Sequence, residues 1–321
     1  MRALSLSVDL EQALEDGARL GAVVVEGGVE QLAIDPVGQY PLASVRKVVT
    51  LGGYALAVAC EAWDPAEPVA LRDIDRWFWP DTDGGAHERA RRWWAESEVL
   101  RPGQEASVPL REIALATIRF SDNAAADYLL HRLGDQRVTE AGQQMGLMTQ
   151  DPIHPTLGEF RAWHRCPEQW STTNAADRAR TAWELATSEA STSDAVQIDE
   201  ATQRRCAAVG CQGTAREWAR LMAGLAAGTC LPKAAQSIVR EALERPSAPE
   251  GDGRFGAKAG DLPGILTFAG YVRARPSGAP DVAVAMFLRG LDGERLHRLS
   301  VELPKTAAEL LGLSEALSRL N

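Results

Sequence analysis

The sequence predicts an α/β fold of the two-lobe α+β kind, in which an antiparallel sheet built from both chain termini is flanked by helices and a central all-helical lobe is inserted between its halves. Three observations predict it. Runs rich in β-branched residues occur near the start of the chain and return only late in it. The long middle reads as helix broken by Pro, Gly and Asp clusters, and each end carries an amphipathic helical pattern. One sheet assembled from both ends, with a helical excursion between, satisfies all three.

Leu6 to Leu20 places apolar residues at helical spacing, Gly21 to Glu26 is a short valine-rich run, Gly27 and Gly28 mark a turn, and Val29 to Ile34 alternates. That order reads as helix, strand, hairpin, strand. After a turn at Pro41, Ser44 to Cys60 is a continuous apolar segment rich in Ala, Leu and Val, too long for a strand, and it predicts a buried helix beginning near Ser44. From Glu61 to about Thr202 only helices are expected, among them Leu110 to Phe120, Asn123 to Leu133 and Thr173 to Ser188. Strands return at Ala257 to Ala259, Ile265 to Ala274 and Asp281 to Arg289, with a Pro-Ser-Gly turn between the last two, and Lys305 to Leu320 closes the chain as an amphipathic helix. The expected boundaries are 1–58 and 205–321 for the α/β lobe and 59–204 for the helical one, with the groove between them as the ligand site.

Composition narrows the function. The chain has 321 residues, enough to bury a core without staples, and a net charge of -10 with no basic block, which disfavours nucleic acid as a partner. Met1 to Leu10 lacks a signal-peptide core and no stretch approaches the length of a membrane span, so no membrane partner and a cytoplasmic location are expected. The five cysteines (Cys60, Cys166, Cys206, Cys211, Cys230) are odd in number and form no C-x-x-C pair, which predicts reduced, mostly buried thiols and neither a disulfide framework nor a zinc site. In Trp77 to Trp94, Asp81, Asp83 and His87 lie close together, but their spacing fits no metal motif, so capping and packing are the expected roles and no metal or cofactor is implied.

Three polar clusters carry chemistry. Ser44 and Lys47 form S-x-x-K at a helix start, which puts a hydroxyl and an amine on one face, beside the partial positive charge of the helix N-terminus. A desolvated lysine of lowered pKa can accept the serine proton, although the same spacing also suits a capping serine followed by a solvent lysine. Ser121, Asp122 and Asn123 sit between two helical runs, where a hydroxyl can relay a proton and an amide can both donate and accept, or where the tripeptide simply caps the next helix. Lys258, Ala259 and Gly260 begin a late strand whose glycine admits a close substrate and whose lysine presents a cation. Lysine is scarce (Lys47, Lys233, Lys258 and Lys305), and half of it falls in these clusters.

Taken together, Ser44-x-x-Lys47, Ser121-Asp122-Asn123 and Lys258-Ala259-Gly260 resemble the three motifs of class A β-lactamases and related penicillin-recognising serine hydrolases, a likeness that runs from about residue 20 to 320 and implies a β-lactamase/transpeptidase-like fold. By that resemblance Ser44 is the acylated nucleophile, Lys47 its proton acceptor, Ser121 the relay, and Asn123, Lys258, Ala259 and Gly260 bind substrate. The backbone N–H groups of Ser44 and Asp261 form the oxyanion hole. The sequence departs from the family in three places. His154-Pro155-Thr156-Leu157-Gly158 stands where the family has Glu-Pro-x-Leu-Asn, which puts His154 at the position of the deacylating base and leaves Glu159 next to that stretch. Ala259 replaces a threonine or serine, and Asp261 adds a charge beside the oxyanion strand. The expected activity is an acyl-enzyme mechanism on a small-molecule ester, amide or lactam, as an intracellular esterase, amidase or β-lactamase-related enzyme with an altered deacylation step; the alternative is a non-catalytic binding or scaffold protein.

Overall fold

The valine run near the N-terminus becomes the seam on which the two ends of the chain meet. The computed structural model describes residues 7–100, 106–188, 198–244, 253–274 and 278–313. Helix α1 (Val8–Glu15) is capped by the Ser7 hydroxyl, which accepts from the Leu10 N–H. Strands β1 (Arg19–Glu26) and β2 (Val29–Ile34) form the expected hairpin, followed by a short β3 (Gln39–Pro41). A 3-10 turn over Ala43–Arg46 leads into α2 (Lys47–Ala59). The excursion then runs through β4 (Pro68–Ala70), α3 (Leu71–Asp75), α4 (Ala86–Glu96), β5 (Ser107–Pro109), α5 (Leu110–Arg119) and α6 (Asn123–Gln144). It continues through α7 (Thr156–Arg165), α8 (Pro167–Thr172), α9 (Ala175–Thr187) and α10 (Glu200–Ala207). After β6 (Gln212–Thr214), α11 (Ala215–Ala227) and α12 (Lys233–Leu243), the chain returns to the sheet with β7 (Arg254–Leu262), β8 (Ile265–Arg273) and β9 (Val282–Arg289), and ends in α13 (Gly293–Leu311).

The main sheet has the order β2-β1-β9-β8-β7 and is antiparallel throughout. Its seam pairs β1 with β9, Ala22 opposite Met286 and Val24 opposite Val284. Alternation sorts the side chains by face. Val23, Val25, Ala285 and Phe287 join the large core with α2 and α11, whereas Ala22, Val24, Val284 and Met286 join a second core roofed by α1 and α13. The central strands are buried on both faces and therefore read as near-continuous apolar runs.

Helix α2 is buried along most of its length and crosses α6 closely. A Cβ on Gly52 would lie 2.4 Å from Met145 Sδ and one on Gly53 2.8 Å from Leu133 Cδ1, so a side chain at either position would push those two side chains aside. The approach matters because Lys47 begins α2 and Asn123 begins α6.

The structure corrects several expectations. Residues 61–202 are not free of strands: β4 pairs with β5, Val69 opposite Val108. A second small ladder, β3 with β6, ties the departure of the excursion to its return. Both consist of three-residue strands containing or flanked by proline and glycine, too short to display a period. The closing helix begins at Gly293 under an Asp292 cap and continues through Pro304, which reads as a stop signal in sequence. The last residues assigned to that helix, 314–320, and part of the Pro-Ser-Gly turn lie outside the described residues. Of the cysteines, Cys206 and Cys211 are buried while Cys60 is exposed. None of the helices among the described residues is long and apolar enough to cross a membrane.

Candidate active site

The nucleophile turn is held from both sides. Ala43 adopts φ +45°, a left-handed conformation that is strained for a residue with a side chain, and Ser44 follows it, half-buried. The Thr267 hydroxyl, buried on β8, lies 3.1 Å from the Leu42 carbonyl and 3.0 Å from the Gly260 carbonyl, so it stitches the turn to β7. Gly260 itself leaves no room: a Cβ there would sit 2.4 Å from Ser44 N and 3.0 Å from Ser44 Cα and Cβ. A strand bearing any side chain at this position would have to move away from the serine.

Lys47, 3% exposed, donates to Asn123 Oδ1 (2.6 Å), to Ser121 Oγ (3.2 Å) and to the Ser121 carbonyl. Burial pushes its amine down to about 8 against the opposing pull of Asp122 and Asp127. Lys258, also buried, donates to the same Ser121 hydroxyl (2.9 Å) and to the Ala259 carbonyl (2.5 Å). Ser121 Oγ therefore bridges two amines and is placed to pass a proton between them.

Ser121 sits at φ +61°, a second strained non-glycine position, of the kind that costs on the order of 1–3 kcal/mol and persists only where neighbours enforce it. The enforcement comes from Asp122. Its Oδ1 accepts from the Ala125 N–H as the cap of α6, and its Oδ2 lies 3.0 Å from His87 Nδ1. His87 Nε2 lies 3.0 Å from Asp75 Oδ1, and Asp75 also receives Arg91 (2.7 Å). Burial disfavours charge on His87, but the hydrogen bonds and charges of Asp122 and Asp75 outweigh it and raise its pKa. A protonated ring can donate to both carboxylates at once; a neutral one can donate to only one. Asp83 receives the backbone N–H groups of Gly85, Ala86 and His87, so this carboxylate caps α4.

Ser44, Lys47, Ser121, Asn123 and Asp261 line one cavity of about 340 Å³. Glu159, on the first turn of α7, lines it too; His154 does not. The expected base is set behind that carboxylate. His154 Nδ1 donates to the Pro152 carbonyl (3.2 Å), its Nε2 lies 3.3 Å from Glu159 Oε2, and its ring meets the edge of Trp170. Arg46 donates to Glu159 Oε2 (2.6 Å) and Thr156 Oγ1 (3.1 Å). Burial pushes the Glu159 carboxyl up, but Arg46 and His154 together pull it down to about 2. The turn that carries Glu159 is anchored by buried Asp127, whose two oxygens accept the N–H groups of Thr156 (2.9 Å) and Leu157 (2.7 Å).

All three clusters from the sequence thus meet at one place. Lys47, Ser121, Asn123 and Lys258 are joined by direct hydrogen bonds, and Ser44 and Gly260 by backbone packing. Among the described residues, Lys47 makes no hydrogen bond to Ser44, and Ala259 is exposed on its strand. Sequence reasoning missed Arg46, Asp127, Thr267 and His87 as supporting residues. Only the buried position of Arg46 within S-x-x-K could have flagged it, since a cation on a core-facing helix start needs a carboxylate.

Comparison with known proteins places these features in context. A model of the Beta-lactamase enzyme family matches residues 11–307. No curated protein matches the chain significantly. Among solved structures, a β-lactamase from Sphaerobacter thermophilus DSM 20745 is similar with TM-score 0.64 and 19% identity, covering 95% of both chains. A variant of the last common ancestor of Gram-negative bacteria class A β-lactamase gives TM-score 0.56 and 17% identity over 95% of this chain and 96% of its own. A mutant of PBP-A, in an acyl-enzyme complex with penicillin G, gives 0.57 and 16% over 94% and 92%.

Proposed function

Because the chain belongs to the beta-lactamase enzyme family, we propose that it is a serine hydrolase that forms an acyl-enzyme on Ser44 with a small ester, amide or lactam and releases the acyl group slowly. The observation that carries this reading is the hydrogen-bonded chain Lys47 to Ser121 to Lys258, of which Lys47 and Ser121 share one cavity with Ser44 while Lys258 reaches Ser121 from the neighbouring strand β7, with Lys47 lowered to about 8. In this mechanism the Ser44 hydroxyl attacks the carbonyl carbon and its proton passes to neutral Lys47, which must first turn away from one of its present acceptors. The backbone N–H groups of Ser44 and Asp261 hold the developing oxyanion, a contribution on the order of 3 kcal/mol each in sites of this kind. Ser121 then returns a proton to the leaving group while Asn123 and Lys258 hold the substrate.

Slow release follows from base strength. Glu159 is the carboxylate beside the nucleophile turn and, held near 2, is a poor proton acceptor for an attacking water. His154, shielded behind it, acts in this reading through Glu159 rather than on the water. Ala259 offers no hydroxyl to an anionic substrate group, which favours neutral esters and amides over carboxylate-bearing ones. We assign such an enzyme to the cytoplasm as an esterase or amidase.

One observation favours the second reading, a non-catalytic binding protein: all three Lys47 bonds go to Ser121 and Asn123. Intact-mass measurement after incubation with a fluorescent penicillin and with an activated ester separates the two. A persistent adduct on the wild type that is absent from Ser44→Ala supports the enzyme; equal labelling of Ser44→Ala, or none on either, rejects it.

A further inference from the structure

A second cavity, of about 560 Å³, opens beside the first and shares Thr82, Phe160, Asp261 and Leu262 with it. Its character is different. The walls are aromatic: Trp79 lies tilted at 45° against His164 with ring centres 5.2 Å apart, and Trp163 meets the edge of Phe160 at 5.0 Å. Trp163 is 4% exposed, and its indole N–H finds no acceptor among the described residues. The charged side chains that line it are Asp81, Glu200 and Asp261, and no lysine or arginine is among its described lining residues. Arg204 lies 3.8 Å from Glu200 in an exposed i,i+4 pair. The first cavity, by contrast, sets the cations Arg46, Lys47 and Arg89 against the carboxylates Asp83, Glu159 and Asp261.

Aromatic faces and carboxylates in one chamber favour a cation with an apolar body: ring quadrupoles attract it, acidic groups pair with it, and the hydrocarbon part is removed from water. We propose that this chamber receives the side arm of the acyl substrate and that the arm is an apolar or aromatic group bearing a protonated amine. The shared residues set the two cavities side by side, so an arm held by Trp79 and Asp81 would extend past them from a carbonyl held at Ser44. This assignment rests on the acyl-enzyme reading for its reaction but not for its binding.

The test uses the Ser44→Ala protein and ligand-observed NMR titration with 4-(aminomethyl)phenylacetamide, phenylacetamide and 4-carboxyphenylacetamide. The cationic amide should bind about fivefold tighter than the neutral one, with the anionic amide weakest. Asp81→Asn, which suits the left-handed backbone at that residue (φ +62°), and Trp79→Ala should each remove most of the cationic advantage. Equal affinities, preference for the anion, no binding, or an advantage untouched by both variants would overturn the proposal. In parallel, the wild type is acylated with thioesters of the same arms and with an acetyl thioester. If the acetyl ester labels Ser44 and the aminomethyl arm brings no gain, the chamber assignment fails while the enzymatic reading stands. If no thioester labels Ser44 but the cationic amide still binds best, the reverse holds.

Discussion

Lys47 gives the sharpest quantitative expectation, because only its neutral form can take the Ser44 proton. With the amine at about 8, roughly a tenth of the protein is competent at pH 7 and about nine-tenths at pH 9. The acylation rate should therefore climb close to tenfold per unit between pH 6 and 7, bend near 8 and level off above 9. The same burial affects stability in a defined window. A lysine whose folded pKa lies below its ordinary value of 10.5 costs the fold about 3 kcal/mol while charged, in full below pH 8, and the cost is relieved as pH rises from 8 to 10.5. The assay is quenched-flow mass spectrometry of the Ser44 adduct with an activated ester, using Ser44→Ala to subtract solution hydrolysis. Lys47→Arg keeps a cation that cannot deprotonate and should lower the acylation rate by about 10²- to 10⁴-fold at every pH. A flat profile between pH 6 and 9, or undiminished acylation by Lys47→Arg, would refute the assignment of this amine as the base.

Two further outcomes are expected. Glu159→Gln should lengthen the life of the adduct little, since the wild-type carboxylate is already a weak base. It should destabilise the protein by about 3 kcal/mol at pH 7 by leaving Arg46 unpaired, and the difference, read from chemical denaturation, should fade as pH drops from 4.5 towards 2. Gly260→Ala, which sets a methyl against Ser44 backbone atoms, should cost about 1–3 kcal/mol in a melting measurement and slow acylation on the order of 10²-fold; normal values of both would mean that β7 can retreat without disturbing the nucleophile.

The sheet was readable because its strands are buried on both faces, so valine-rich runs at the two ends mark themselves without any need for alternation. The lone lysines were readable for a different reason: in an arginine-rich chain, an amine held in a cleft stands out. The supporting residues were not readable. Asp127 sits four residues after Asn123 on α6, where nothing in the one-dimensional pattern tells an α7 anchor from a solvent-facing acid. The exchange of places between His154 and Glu159 is a matter of where a loop becomes a helix. Pro155 precedes α7, so Glu159 falls within its first turn and turns towards Arg46, while His154 remains in the preceding loop.

Leu42 and Thr267 are joined by a hydrogen bond that spans 225 residues of sequence. Ser44 leaves the ribosome long before the threonine that positions its turn has been made, and Gly260, against which it rests, is equally late. A nascent chain therefore carries an inert alcohol at residue 44. In the proposed mechanism, the nucleophile turn is completed only when the C-terminal third has docked.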